Sequence, residues 1–268
     1  MRSNLASTIV AFALAAPALP LRGQEGPIED NSFLIEEAYN QERGVVQHIS
    51  VLDRPRHGGD WSFDFTQEWP APSQRHQLSY TIPLARVDDE TGIGDVALNY
   101  RYQLVGVGGD GPLAIAPRLS VVLPTGDEDD GLGSGEPGLE VNLPVSYAIS
   151  ERLVGHWNLG ATYTRAVADS LGREQDLEGV FAGQGLIWLA TPTLNLMLEA
   201  LWQRDRVVAE RGGAVHEESL LLAPGVRYAQ NLDALQVVYG LALPVEVGAG
   251  DGERSVLLYL SLEHPFRR

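Results

Sequence analysis

Leu139-Glu140-Val141-Asn142-Leu143-Pro144-Val145-Ser146-Tyr147 carries an apolar or aromatic side chain at every odd position and Glu, Asn, Pro and Ser at the even ones. A repeat of two is the period of a β-strand, because successive side chains leave the pleat on opposite faces. Val96, Leu98, Tyr100, Tyr102 and Leu104 interleave in the same way with Asp95, Ala97, Asn99, Arg101 and Gln103. Carried along the chain from Val45, the pattern predicts twelve strands, near 45–53, 60–69, 75–83, 94–104, 112–123, 137–148, 152–164, 177–190, 193–204, 216–229, 232–244 and 254–264. Most are longer than the roughly 5–6 residues usual in soluble proteins and match the ~9–11 that a tilted strand needs to cross a bilayer. The fold class expected is therefore all-β, a transmembrane antiparallel up-and-down barrel.

The connections support that reading, since they alternate in length. "PAPS" (70–73), "AISE" (148–151), "ATPT" (190–193) and "AQNL" (229–232) are short, whereas "LARVDDETG", "PTGDEDDGLGSG", "RAVADSLGREQ", "RDRVVAERGGAV" and "VEVGAGDGE" are longer and polar. Outer-membrane barrels have tight periplasmic turns and longer external loops. With the N-terminus in the periplasm, every odd-to-even connection is external, and the long ones fall there; "VGVGGDG", long for a periplasmic turn, departs from the rule. A soluble barrel also alternates, but turns its apolar face inward. Two features favour the membrane form. Small residues dilute the polar phase, which holds Arg101, Arg118, Glu140, His156, Asn158, Glu199, Gln203, Arg227 and Glu263 and reads as a lumen wall. Trp61, Trp69, Tyr80, Tyr102, Tyr147, Tyr163, Trp202 and Tyr228 lie on the apolar phase toward strand ends, as interfacial girdles require. Pro117, Pro144 and Pro224 fall inside strands and lack a ladder donor, so bulges or displaced boundaries are expected there.

Residues 1–23, "MRSNLASTIVAFALAAPALPLRG", combine a basic start at Arg2, a short apolar run and small residues at Ala16 and Ala18, the pattern of a signal peptide cleaved after Ala18 or Gly23. A periplasmic segment, 24–44, follows and holds the one expected helix, over 30–42, with Phe33, Leu34, Ala38 and Tyr39 on one face. That helix could plug the lumen or lie under its periplasmic mouth; a frayed amphipathic turn is the plainer reading. The barrel then occupies 45–268. Its last strand, "SVLLYLSLEHPF", ends near Phe266 like the C-terminal strand read by the barrel assembly machinery, although Arg267 and Arg268 follow.

The chain lacks cysteine, which removes thiolate metal sites and cysteine nucleophiles, and its 19 basic residues are all Arg. A net charge of −17 excludes nucleic acid as a partner. The run Asp127 to Asp130 misses the ligand spacing of a calcium loop: Gly131 comes one place early and Glu136 falls four residues beyond it. It reads as a solvated external loop whose carboxylates could share divalent cations with lipopolysaccharide phosphates. The absence of Lys rules out a phosphate-cradling P-loop. Neither a G-x-S-x-G nucleophile motif nor an H-x-x-x-H pair occurs, and His156 with Asn158 reads as polar lumen rather than part of a lipid-modifying site. Catalytic residues and cofactors are accordingly not expected.

"TGIGDVALNYRYQL" (91–104), "PRLSVVLPTGDEDDGLGSG" (117–135) and "EVNLPVSYAISERLVGHWNLGATY" (140–163) resemble the bacterial outer-membrane family named for the MetA pathway of phenol degradation. The positions that carry the resemblance are Gly92, Gly94, Asp95, Pro124, Thr125, Gly126, Asp127, Gly133 and Gly135. It implies an outer-membrane barrel with uptake of aromatic or other hydrophobic small molecules and without agreed catalytic residues. Read physically, Gly92 and Gly94 permit a tight external bend, and the Pro-Thr-Gly-Asp run supplies turn chemistry at the neighbouring rim. Twelve strands make a barrel between one filled by side chains and a wide porin. With Arg101, Arg118 and Arg227 facing Glu140, Glu199 and Glu263, the expected function is a narrow or gated channel. A non-transporting structural or binding barrel is the alternative, and a lipid-modifying enzyme stands behind both.

Overall fold

The computed structural model describes residues 31–209, 211–248 and 252–266. The expected signal peptide and the segment before Asn31 lie outside the described residues. Sixteen strand segments make twelve barrel strands, because four of the strands are each interrupted once. They are β1 (Val45–Pro55), β2 (Trp61–Pro70), β3 (His76–Val87), β4 (Glu90–Ile93 and Val96–Tyr102), β5 (Leu113–Ile115 and Arg118–Leu123) and β6 (Gly138–Asn142 and Val145–Ser150). The second half comprises β7 (Leu153–Ala168), β8 (Glu174–Thr191), β9 (Leu194–Val208), β10 (Ala214–Leu232), β11 (Leu235–Ala242 and Val245–Glu246) and β12 (Ser255–Pro265). Each pairs antiparallel with the next, and β12 pairs with β1 from Val45↔Pro265 to Pro55↔Ser255, so the sheet closes. Closure removes the edges that an open sheet would expose.

Burial decides between a soluble and a membrane barrel. Leu159 is 63% exposed and Leu198 52%, while Arg227 is 1% and Glu199 0% exposed. Apolar side chains thus point out of the barrel and charged ones into it, the inverse of a soluble core, and only a lipid exterior makes that arrangement favourable. Among the described residues no helix is long and apolar enough to cross a membrane, so the strands are the crossing elements.

Strands run further at the end away from the N-terminus than the alternation suggests. β7 to β10 are 16, 18, 15 and 19 residues long, beyond the ~9–11 that span the bilayer. Much of "RAVADSLGREQ" and "RDRVVAERGGAV" is consequently strand instead of loop. "LARVDDETG" shrinks to a hairpin whose Asp88 and Asp89 both have positive φ, as a type I′ turn demands. The acidic connection 124–137 does remain a long loop, and 103–112 keeps its length at the opposite end, with one 3-10 turn at Val107–Gly109.

The bulges expected at the prolines do not form: Pro117 and Pro144 fall at simple breaks, and Pro224 lies within a continuous strand. β5 and β6 pair on one register both before and after Pro117 and Pro144, and β10 keeps its register with β9 through Pro224. Each proline forfeits a donor but still accepts: Tyr102 N–H donates to Pro117 O at 3.0 Å, Ala116 N–H to Pro144 O at 3.1 Å and Leu243 N–H to Pro224 O at 3.0 Å. At Pro117 and Pro144 the missing donor therefore interrupts a strand without shifting it, and at Pro224 it does neither. Register shifts occur instead at strand ends, between Thr164 and Val167 and between Leu189 and Thr191.

Candidate functional site

Residues 31–44 thread through the lumen, and none of them is helical, which corrects the helix expected over 30–42 as well as the frayed-turn reading. The physical reason lies in where the backbone donors go. A helix satisfies its N–H groups internally, whereas here wall side chains take them. Glu199 of β9 accepts Leu34 N–H at 3.1 Å and Ile35 N–H at 2.9 Å on Oε1, and Phe33 N–H at 3.1 Å on Oε2. Asn158 Oδ1 accepts Glu36 N–H at 2.8 Å, and Ser146 Oγ accepts Ala38 N–H at 2.8 Å. Gln103 Oε1 and Gln77 Oε1 accept Asn40 N–H and Gln41 N–H, both at 2.7 Å. The alternation places every one of these acceptors on the inner face, so the two-residue period of the wall is what holds the plug extended.

Charge locks the same segment from its side chains. Glu36 bridges two arginines: Arg101 Nη1 lies 2.9 Å from its Oε1 and Arg118 Nε 2.7 Å from its Oε2. Arg118 continues the chain to Glu140 and also donates to Asn99 and Ser120. Arg101 donates further to Asn40 Oδ1 and to the carbonyls of Glu37 and Tyr39. Glu37 pairs with Arg227 Nη1 at 3.1 Å and accepts from Ser32 Oγ at 3.2 Å, while Arg227 also holds Asn31 O. Buried ion pairs of this kind are costly to break one-sidedly, because the abandoned partner stays desolvated.

Apolar contacts complete the fit. Phe33 packs among Ile49, Val238, Leu257 and Tyr259, with the Tyr259 ring edge-on at 5.7 Å. Glycines in the wall make room: a Cβ at Gly240 would overlap the Phe33 ring, and one at Gly183 would overlap Ile35. Beside the plug a cavity of about 220 Å³ remains, apolar along Phe33, Ile49, Val51 and Tyr259 and polar along Thr66, Thr81, Ser79 and Asn99.

Of the lumen residues expected from sequence, Arg101, Arg118, His156, Glu199 and Arg227 meet the plug directly, and Glu140 reaches it through Arg118. They face the plug more than one another, with Arg118 and Glu140 the exception. Glu263 stands apart, lining a separate cavity of about 350 Å³ at the plug's point of entry, with Glu42, Asp233 and His264. Sequence reasoning missed Glu36 and Glu37; the available signal was an adjacent acidic pair ahead of a wall rich in inward-facing arginines. Ser146 Oγ and His156 Nδ1 are 2.7 Å apart, the spacing of a nucleophile and its base. Ser146 is fully buried beneath Ala38, however, and Glu37 Oε1 lies 3.7 Å from His156 Nε2, so the pair docks the plug to β6 and β7.

The family-motif positions gather at the far rim, where their role differs from the one read in sequence. The hairpin bend falls at Asp88 and Asp89, not at Gly92 or Gly94. Gly92, Gly94, Gly126 and Gly133 instead let Leu132 and its backbone fold back onto β4; a Cβ on Gly126 would strike Leu132 O. Asp95 fastens the fold-back, accepting Gly126 N–H at 2.9 Å and Ser134 N–H at 2.8 Å, and Thr125 Oγ1, next to Pro124, donates to Gly94 O at 2.8 Å. Asp127 caps Asp129 N–H at 3.0 Å, and Gly135 has positive φ beside Glu128.

Residues 38–248, well over half of the chain, match the family described as "Putative MetA-pathway of phenol degradation". No curated protein matches. Solved structures of similar fold include the COG4313 outer membrane channel from Pseudomonas putida F1, at 12% identity and a TM-score of 0.59, covering 85% of this chain and 97% of that one. The NanC porin follows at 8% identity and a TM-score of 0.54, covering 82% and 98%, and the KdgM porin at 8% and 0.51, covering 82% and 99%. At these identities the likeness concerns the fold.

Proposed function

Because the chain belongs to the family described as the putative MetA pathway of phenol degradation, we propose that it is an outer-membrane channel for small molecules, with residues 31–41 as its constriction. One observation carries the reading: a barrel with an apolar exterior encloses a polar lumen that is filled by a separate, side-chain-docked segment instead of by wall side chains alone. A structural barrel needs no such removable filling. The cavity beside Phe33 offers an apolar wall on one side and hydroxyl and amide groups on the other. That pairing suits a compact molecule with a ring or hydrocarbon face and a hydrogen-bonding group, the aromatic or hydrophobic cargo that the family name suggests. In this reading Gly44 leads into β1 from the periplasm, the acidic 124–137 loop lies outside, and the C-terminal end of β12 is offered to the assembly machinery.

The enzyme reading loses support from the same geometry, since the Ser146–His156 pair is covered by plug backbone. The test is conductance in planar bilayers together with efflux of phenol-sized solutes from liposomes. The folded protein should pass such solutes, and deletion of residues 31–41 should enlarge its conductance severalfold. A heat-modifiable barrel that never conducts, with or without the plug, would establish the structural alternative.

A further inference from the structure

We propose that His48 and His264 form a binding site for a zinc-type divalent ion that ties the first strand of the barrel to the last. The site is independent of transport and would stand if the channel reading failed. His48 lies on β1 and His264 on β12; with Val46 paired to His264 and His48 to Leu262, the two are diagonal neighbours on one face of the closing seam. That face is the one opposite inward-pointing Gln47 and Ile49, so the rings lie outside the barrel wall near its periplasmic end.

The geometry fits a metal bite. The Nε2 atoms are 3.3 Å apart while the ring centroids are 5.3 Å apart, so the nitrogens turn toward each other. Two imidazoles on a tetrahedral zinc, each with a Zn–N bond of ~2.0–2.1 Å, hold their nitrogens about 3.3–3.4 Å apart. His264 is also prepared as a ligand: its Nδ1 is 3.0 Å from Pro265 O, so that nitrogen donates and Nε2 keeps its lone pair. A backbone carbonyl that fixes the tautomer in this way is the usual outer support of a metal-bound histidine. His264 also borders the 350 Å³ cavity at the barrel mouth, where Glu42, Asp233 and Glu263 raise the local cation concentration beside the pair. No third His, Asp or Glu joins the pair among the described residues, so water fills the remaining positions and the ion exchanges freely.

Metal-stripped barrel in detergent, titrated with zinc chloride, tests this through bound zinc per barrel and urea unfolding followed by tryptophan fluorescence. The expected result is one zinc per barrel. At free zinc ten times the half-saturating level, the folded-to-unfolded ratio should rise about elevenfold. Binding and stabilisation should vanish in His48→Ala and in His264→Ala, and persist in His57→Ala, which alters a residue beyond the far end of β1. Calcium, which prefers oxygen ligands, should not substitute. In the unaltered protein, zinc should shield His48 and His264 from diethyl pyrocarbonate. Absence of zinc binding, its survival in both variants, equal stabilisation by calcium, or unshielded histidines would each overturn the proposal.

Discussion

Replacing Glu199 with alanine should undock the inner end of the plug while leaving the barrel closed. Its one carboxylate accepts three consecutive backbone N–H groups, from Phe33, Leu34 and Ile35. A hydrogen bond to a charged group contributes about 1.5–3 kcal/mol net, and three that share an acceptor are not additive. The docked state should therefore lose at least the value of one such bond, about 1.5 kcal/mol, and up to about 4 kcal/mol. At about 1.4 kcal/mol per factor of ten, this shifts docking by roughly tenfold to a thousandfold. The wall should hardly notice, because the strand pairing of Glu199 with Gly185 and Ala223 is made by backbone. Release should stop near Glu36, whose pairs with Arg101 and Arg118 are untouched. Glu199→Gln keeps an acceptor oxygen but loses the charge, and since charged bonds are about twice as strong as neutral ones, it should fall between.

The absence of cysteine makes the assay direct. Ser32→Cys, a near-isosteric change at a buried position, introduces a single thiol whose reaction with a small water-soluble maleimide reports undocking. Labelling should be slow on the parent background, faster with Glu199→Gln and at least about tenfold faster with Glu199→Ala, with channel conductance rising in the same order. Unchanged labelling in Glu199→Ala, in a barrel that is still heat-modifiable, would refute the view that this carboxylate holds the plug.

Gly240→Ala places a methyl group where the Phe33 ring now lies and should raise labelling and conductance by steric means alone. Glu36→Gln leaves the Arg101 and Arg118 guanidiniums without their shared carboxylate, a one-sided loss that costs about 3–5 kcal/mol in buried pairs. It should loosen the plug and shift the reversal potential in a salt gradient toward anions. Asp169 staples two loops at the barrel end away from the plug's point of entry. Desolvation pushes its carboxyl up, but N–H groups of Arg173 and Gly213, the Arg173 side chain and Leu171 N–H outweigh this and hold it below the usual carboxylate range. A depressed value stabilises above the unfolded pKa of about 3.9 and is lost as pH falls through the folded one. Pepsin should therefore open these loops only in strong acid. Asp169→Asn should expose Arg173 and Arg211 to trypsin already at pH 7; equal cleavage of both proteins would count against the staple.

How much was legible in the chain depended on how far each constraint reaches. Lipid on one side and a polar lumen on the other force neighbouring residues to differ, so twelve strands could be placed from alternation with most boundaries off by a few residues. Beyond the bilayer that constraint lapses, which is why β8 and β10 outrun their predicted ends. The helix expected at the plug fails for a sharper reason, although its placement in the lumen holds. Phe33, Leu34, Ala38 and Tyr39 do recur at helical spacing, and local spacing was the only signal present. Their conformation is settled by acceptors far along the chain: Ile35 bonds a residue 164 positions away and Ala38 one 108 away. Sequence marks Gly92 and Gly94 as a bend and Gly126 as part of a turn, because it shows that small residues are present and not which backbone approaches them. The lumen charges lie between these extremes. Three inward arginines are visible in the sequence, with wall acids as natural partners; Glu36 and Glu37 change the conclusion, since the plug supplies counter-charges beyond those of wall Glu68 and Glu140. Withdrawal of the segment would leave Arg101 and Arg227 without those carboxylates, so the force that seats the plug is also the charge pattern that a permeating anion would meet once it is gone.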